Sequence, residues 1–299
     1  MNLLGKFAFL GGKSERRKQR RREKIKLPSS YKPIRVKAKR ISNALSSFIR
    51  KTDLQQDGCI EDSEWVGNRL DRPPPPHVTR IMLLNCKGLP RNDLDFFTSF
   101  LLSCIDKHVH YCGLTEINLN AHNFNLKKKL STSFEQTIPG GIIHFNNSKI
   151  HKSGVEYQPG GVSAWCRGKM IRKYMSVGFD PLGRWMFHQF QGAKRNLRIY
   201  TLYRVNPSSV KEGSGSAWEQ QRLLLSEQKI FTNPRKQVII DLCEEIQSAT
   251  SNGFEIILMS DLNEGLHDGE KTNQKLSDIG LTNILASSCA TPPRTYNRG

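Results

Sequence analysis

The chain has 299 residues, with 46 Lys and Arg against 27 Asp and Glu for a formal charge of +19, and only 37% of it is hydrophobic. That length holds one large domain or two ordinary ones, and so low an apolar content implies that part of the chain is not packed. No apolar run approaches the roughly 18–20 residues that cross a bilayer, and seven cysteines at irregular spacing give no disulfide framework. These absences set aside a membrane span and a stapled secreted scaffold in favour of an intracellular, reducing compartment.

The charge is uneven. Residues 1–52 carry 17 Lys and Arg against Glu15 and Glu23, whereas the rest carries 29 against 25. Residues 1–77 therefore read as a basic tail whose partner is a polyanion, nucleic acid first, or an anionic lipid surface. MNLLGKFAFLGG precedes the basic cluster, whereas a secretory signal places its charge first. KSERRKQRRREKIK (13–26) is expected to be disordered. VKAKRISNALSSFIRK places Ile41, Leu45, Phe48 and Ile49 at helical spacing, a short amphipathic helix. DRPPPPH (71–77) is a stiff spacer, and a folded domain is expected over 78–299. The basic run matches a nuclear address, and nuclear or cytoplasmic location is expected, although an Arg-rich, acid-poor N-terminus also suits organellar import.

From Val78 strands and helices alternate. RIMLLNC is a strand; NDLDFFTSFLLSCIDKH is a helix capped by Asn92 or Asp93; YCGLTEI is a strand and NFNLKKKLSTSFEQ a helix. IIHF, GGVSAWCRG, RWMFHQF and LRIYTLYRV are four further strands. SAWEQQRLLLSEQKIF and RKQVIIDLCEEIQSATS are helices, EIILMSD a strand and NQKLSDIGL a last helix. This order predicts a layered α/β (α+β) domain. CIDKHVHYC gathers Cys104, His108, His110 and Cys112, side chains that zinc accepts, but at a helix-to-strand junction they read as packing and surface residues.

Polar residues recur where strands end. Asn85 closes RIMLLN, Glu116 follows CGLT, Tyr203 comes late in LRIYTLYRV, and Asp261 and Asn263 follow EIILMS. Asp261 and Asn263 would project together if the extended geometry persisted. Singly, each has a plainer role: a turn residue, a solvated carboxylate, a packed β-strand tyrosine, or an Asx-turn.

In order, the pieces NCKGL (85–89), TE (115–116), PGGV (159–162), DPLGRW (180–185), YRV (203–205) and SDLN (260–263) resemble the endonuclease/exonuclease/phosphatase superfamily, closest in flavour to the endonucleases of non-LTR retrotransposons. The resemblance spans residues 80–299. It implies a four-layer α-β-β-α sandwich of two mixed sheets with Asn85, Glu116, Tyr203, Asp261 and Asn263 meeting at one rim. It also implies Mg²⁺, or Mn²⁺ in its place, on Glu116. Asn85 would orient Glu116 or bind the metal through its amide oxygen. Asp261 would align or deprotonate the attacking water, and Asn263 and Tyr203 would hydrogen-bond the phosphate. Ser260 and Thr115 replace the family's usual Gly and Gln, and Lys87 stands where some members carry a second acid or amide.

The resemblance further implies a last strand and a closing Asp-His pair after TPPRTYNRG. The chain is accordingly expected to lack its last strand and to be catalytically crippled, and His267 in EGLHDGE is not expected to substitute. Three functions follow from this reading: a Mg²⁺-dependent endonuclease of retroelement type, acting on nucleic acid and on DNA foremost, with a reverse transcriptase domain in a longer parent chain; a phosphatase or phospholipase of the same superfamily; and a catalytically dead nucleic-acid-binding remnant.

Overall fold

The computed structural model describes residues 72–149, 155–206, 215–264 and 270–284. The chain divides into two units, Met1–Thr52 and Asp53–Gly299, and every described residue belongs to the second. The expected disorder of 13–26, the amphipathic segment 36–51, His267 and the closing TPPRTYNRG all lie outside the described residues.

Eight strands form two four-stranded mixed sheets. The first contains β1 (Ile81–Asn85), β2 (Tyr111–Thr115), β3 (Ile142–Asn146) and β4 (Val162–Cys166), in the spatial order β1-β2-β4-β3. The second contains β5 (Tyr174–Phe179), β6 (Trp185–Phe190), β7 (Leu197–Tyr203) and β8 (Glu255–Asp261), in sequence order across the sheet. Each sheet has one parallel pair at an edge, β1 with β2 and β7 with β8, and its remaining pairs are antiparallel. Parallel neighbours need a crossover. Helix α1 (Leu94–Asp106) supplies the first, and α3 (Ala217–Glu227) with α4 (Pro234–Ser251) supplies the second. Helix α2 (Phe124–Thr137) links β2 to β3, and α5 (Glu270–Asp278) follows β8.

The helices start where the side chains specify. Asp93 accepts from the Phe96 amide, Asn123 from that of Leu126, Ser216 from that of Glu219 and Asn233 from that of Arg235, each satisfying an otherwise orphaned N–H. Pro234 then occupies the first turn of α4, where its missing N–H costs nothing.

Period-two alternation sorts the strand residues into three apolar layers. Leu114 and Cys112 of β2 and Trp165 of β4 pack under α1 and α2 with Phe97, Leu101, Leu130 and Phe134. Tyr111, Val162, Ala164 and Cys166 face Met186, Phe190, Ile199, Tyr203 and Met259 between the two sheets. Tyr200, Leu202 and Trp185 face Val238, Leu242 and Ile246 of α4. Helices, sheet, sheet and helices thus make the four layers, and each fully buried Leu, Ile or Phe contributes about 1.5–3 kcal/mol. The sheets pack tightly at Gly113, where a Cβ would lie 2.6 Å from Thr201 Oγ1 and 2.8 Å from Met259 Cε.

The sequence reading missed two pieces, the 3-10 helix Gly168–Lys173 and strand β5. β5 is an edge strand with a register irregularity between Tyr174 and Ser176 and with Met175, Ser176 and Phe179 exposed, so it lacks an apolar signature. Its Gly178 is not a turn residue. A Cβ there would stand 2.2 Å from the Phe187 ring, so the glycine makes room for that ring.

Candidate active site

The carboxyl ends of both parallel pairs reach the same rim. Asn85 ends β1 beside Thr115, which ends β2, and Tyr203 ends β7 beside Asp261, which ends β8. The Asn85 amide links the two sheets there. Asn85 Nδ2 donates to Glu116 Oε2 at 2.9 Å and to Asp261 Oδ2 at 2.7 Å, across a sequence separation of 176 residues in the second case. Thr115 Oγ1 donates to the same Asp261 oxygen at 3.3 Å. All three bridged residues are half-buried.

Asn85 therefore orients the carboxylates rather than offering them its oxygen. Its Oδ1 accepts from the Lys87 amide at 2.9 Å. Glu116 Oε1 and Asp261 Oδ1 take no hydrogen bond from a described residue, and no described Lys, Arg or His nitrogen pairs with either carboxylate. Two converging carboxylates with one open oxygen each suit a hard divalent cation such as Mg²⁺, which takes one or two carboxylates and completes its shell with water and phosphate oxygens. Among the described residues no group of three or more His, Cys, Asp and Glu is placed to hold a metal. In the CIDKHVHYC stretch, Cys104 and Cys112 are core residues and His110 Nδ1 accepts from the Arg80 amide at 3.1 Å. Burial and the nearby Lys169 and Arg167 lower the His110 pKa to about 4.

Backbone conformation aims the carboxylates. Glu116 (φ 54°), Lys87 (φ 47°), Asn118 (φ 52°) and Asn263 (φ 48°) all adopt the left-handed region, which costs a non-glycine residue of order 1 kcal/mol or more and gathers at functional sites. Glu116 is held there by its carbonyl, which accepts from the Gly88 amide at 2.8 Å and from Cys86 Sγ at 3.6 Å. Gly88 itself has φ 107°, open to glycine alone.

Asn263 departs from the extended geometry expected of it. Strand β8 stops at Asp261 and the chain turns, so Asn263 does not share a strand face with Asp261. Its Nδ2 donates to the Arg204 carbonyl at 2.7 Å, and its own carbonyl accepts from Arg235 at 3.0 Å. Arg204 pairs with Glu264, which also accepts from Thr272 of α5 at 2.8 Å. This network ties the turn to the ends of β7 and α4.

Tyr203 is 4% exposed, and its amide donates to the Arg184 carbonyl at 2.8 Å. Burial and then the Glu116 and Asp261 carboxylates push its phenol above the ordinary range, so it stays protonated and remains a donor at neutral pH. The DPLGRW motif underlies this placement. The Arg184 side chain forks onto Asp180 with two 2.8 Å bonds, reaches Asp241 of α4 at 2.7 Å, and lies 4.5 Å over the Trp185 ring. Beside Tyr203 runs the PGGV segment, where the Gly160 amide donates to Asn118 Oδ1 at 2.8 Å and a Cβ on Gly160 would meet Ala217 at 2.9 Å and the Tyr203 ring at 3.4 Å.

The sequence reading gave no part to Thr115, Cys86 or the Arg204–Glu264–Arg235 network. A strand threonine carries no signal beyond β-propensity, and the others are recognisable only once their carbonyl partners are placed.

No family model matches the chain, and no curated protein is similar to it. Among solved structures it is similar to an endonuclease/exonuclease/phosphatase family protein from Leptotrichia buccalis (15% identity, 70% of this chain and 77% of that one, TM-score 0.43). It is also similar to the human Nocturnin catalytic domain with bound sulfate (13%, 72% and 76%, 0.47) and to an AP endonuclease from Archaeoglobus fulgidus (12%, 70% and 74%, 0.45).

Proposed function

We propose that the chain is a Mg²⁺-dependent phosphodiesterase of retroelement type that acts on nucleic acid, DNA foremost. The observation that carries this reading is the Asn85 amide held between Glu116 and Asp261, which draws two carboxylates, without cationic partners among the described residues, from opposed sheets into one half-buried rim. The excess of basic residues in 1–52 favours a polyanionic substrate, because neutralised phosphates release counterions.

Glu116 would hold the cation, with Asp261 meeting it through a bound water, and the cation would offset the negative charge of the phosphodiester. Asp261, with Oδ2 fixed by Asn85 and Thr115, presents Oδ1 to align a water and take its proton. Tyr203, kept protonated by its surroundings, donates to a phosphate oxygen. Asn263 contributes its second amide hydrogen, the first being committed to the Arg204 carbonyl.

The test combines Mn²⁺ binding, read by electron paramagnetic resonance, with Mg²⁺-dependent nicking of supercoiled plasmid. Glu116→Gln is expected to lose both, and Asp261→Asn to lose nicking while weakening Mn²⁺ less. Mn²⁺ affinity unaltered by Glu116→Gln would remove Glu116 from the metal site. Mn²⁺ and DNA binding without nicking would favour the nucleic-acid-binding remnant, and release of phosphate from inositol phosphates in place of nicking would favour the phosphatase.

A further inference from the structure

Past Glu116 the chain leaves β2 but keeps an antiparallel partner. Ile117 and Asn118 donate to the Gly161 and Gly160 carbonyls, Asn120 donates to that of Glu156, and Leu119 lies opposite Tyr157. This ribbon pairs Tyr157 with Leu119, three residues beyond Glu116, so at most about 10 Å of chain separates that bridge from the carboxylate's residue. That is no more than about three stacked nucleotides. Tyr157 is an aromatic residue with 47% of its surface exposed.

Arg91, in the loop between β1 and α1, places its guanidinium 5.2 Å from the centre of the Tyr157 ring. That guanidinium has no hydrogen-bond or carboxylate partner among the described residues. Lys129 of α2 lies alongside, its Nζ donating to the Arg91 carbonyl at 3.2 Å. Exposed tyrosine and arginine side chains are costly to hold in one place without a partner. An exposed ring with a planar cation beside it is a surface that bases occupy whatever their sequence.

We infer that Arg91 and Tyr157 form a stacking platform for an unpaired nucleobase, within a few nucleotides of the phosphate held at Glu116 and Asp261. The inference rests on the proposed action on nucleic acid and narrows it to single-stranded or locally opened substrate. The base stacks on the pair, its flanking phosphates meet Arg91 and Lys129, and the strand then runs along the ribbon to the carboxylates. An inositol phosphate or a bare sugar-phosphate chain has nothing to stack.

The experiment uses the full chain carrying Glu116→Gln, so that no oligonucleotide is cut. The reading is the ratio of Kd for an abasic oligonucleotide to Kd for a base-bearing single strand of equal length. The two share the same charge, so the contribution of residues 1–52 largely cancels. Tyr157→Ala and Arg91→Ala together are expected to lower the ratio about 5- to 150-fold, and Tyr157→Phe to preserve it. An oligonucleotide bearing 5-iodouracil is expected to photocross-link to Tyr157. An unchanged ratio in the double variant, with cross-links only elsewhere, would overturn the platform. Nicking that survives Glu116→Gln would instead overturn the proposed chemistry and leave the platform standing, because the platform is read in binding.

Discussion

Asn85→Asp asks whether an amide donor is what permits Glu116 and Asp261 to sit together. The nitrogen it replaces lies 2.9 and 2.7 Å from the two carboxylate oxygens. A third carboxylate loses both hydrogen bonds and, at about 4 Å and an effective dielectric of about 20, adds about 4 kcal/mol for each like-charged pair. Two such pairs cost more than protonating the new carboxyl, which at pH 7 costs about 1.4 kcal/mol for each unit above its ordinary 3.9, or about 4 kcal/mol. Proton uptake therefore caps the charge penalty near that value. Between pH 4 and neutrality the folded variant binds more protons than the unfolded chain, so its stability falls as the pH rises, by about 1.4 kcal/mol per unit. Asn85→Leu, which loses the hydrogen bonds alone, is the control. Asn85→Asp should melt about 8–16 °C below it at pH 7 and only about 3–6 °C below it at pH 5. Added Mg²⁺ should narrow the gap at pH 7. A gap that stays constant from pH 5 to 7 would refute the shared-donor arrangement.

The His144–His188 pair should make stability acid-sensitive in the opposite sense. The two rings meet at 2.9 Å between the sheets, and burial and then His144 lower the His188 pKa to about 3. Below pH 6.5 the unfolded chain binds the extra proton, so stability is lost as the pH falls from 6.5 toward about 3; urea melts at pH 7 and pH 5 should show a drop that His188→Phe reduces. Gly113→Val should cost at least 2–3 kcal/mol in chemical denaturation, because its side chain would enter the Thr201–Met259 contact. Asp180→Ala should cost about 3–5 kcal/mol in the same assay by leaving Arg184, itself 3% exposed, without its main partner.

The sequence disclosed strand β8 to the residue. EIILMSD is an apolar run that ends on a polar pair, and the strand covers Glu255–Asp261. Helices α1 and α4 were readable from caps and apolar spacing, because those signals are local. β5 was not, since an edge strand has one solvated side and its glycine serves a neighbour's ring. Within the site, the sequence placed polar residues at strand ends but not their orientation. That Asn85 gives its nitrogen to two carboxylates depends on the Lys87 amide having taken its oxygen. That Asn263 leaves the strand geometry and commits one amide hydrogen depends on a carbonyl 59 positions earlier. A left-handed glutamate has no sequence signature, because the Gly88 amide and the Cys86 thiol that hold its carbonyl arrive from another strand.

The chain order of the two sheets has a consequence for assembly. Every strand of the first sheet lies within residues 81–166 and every strand of the second within 174–261, joined by the short 3-10 helix Gly168–Lys173. Asn85 and Glu116 belong to one half and Tyr203 and Asp261 to the other, so neither half owns a site. A break at that junction would yield two contiguous polypeptides, each with a complete four-stranded sheet and half of the polar rim. The Asn85–Asp261 bond would form only once the halves had met.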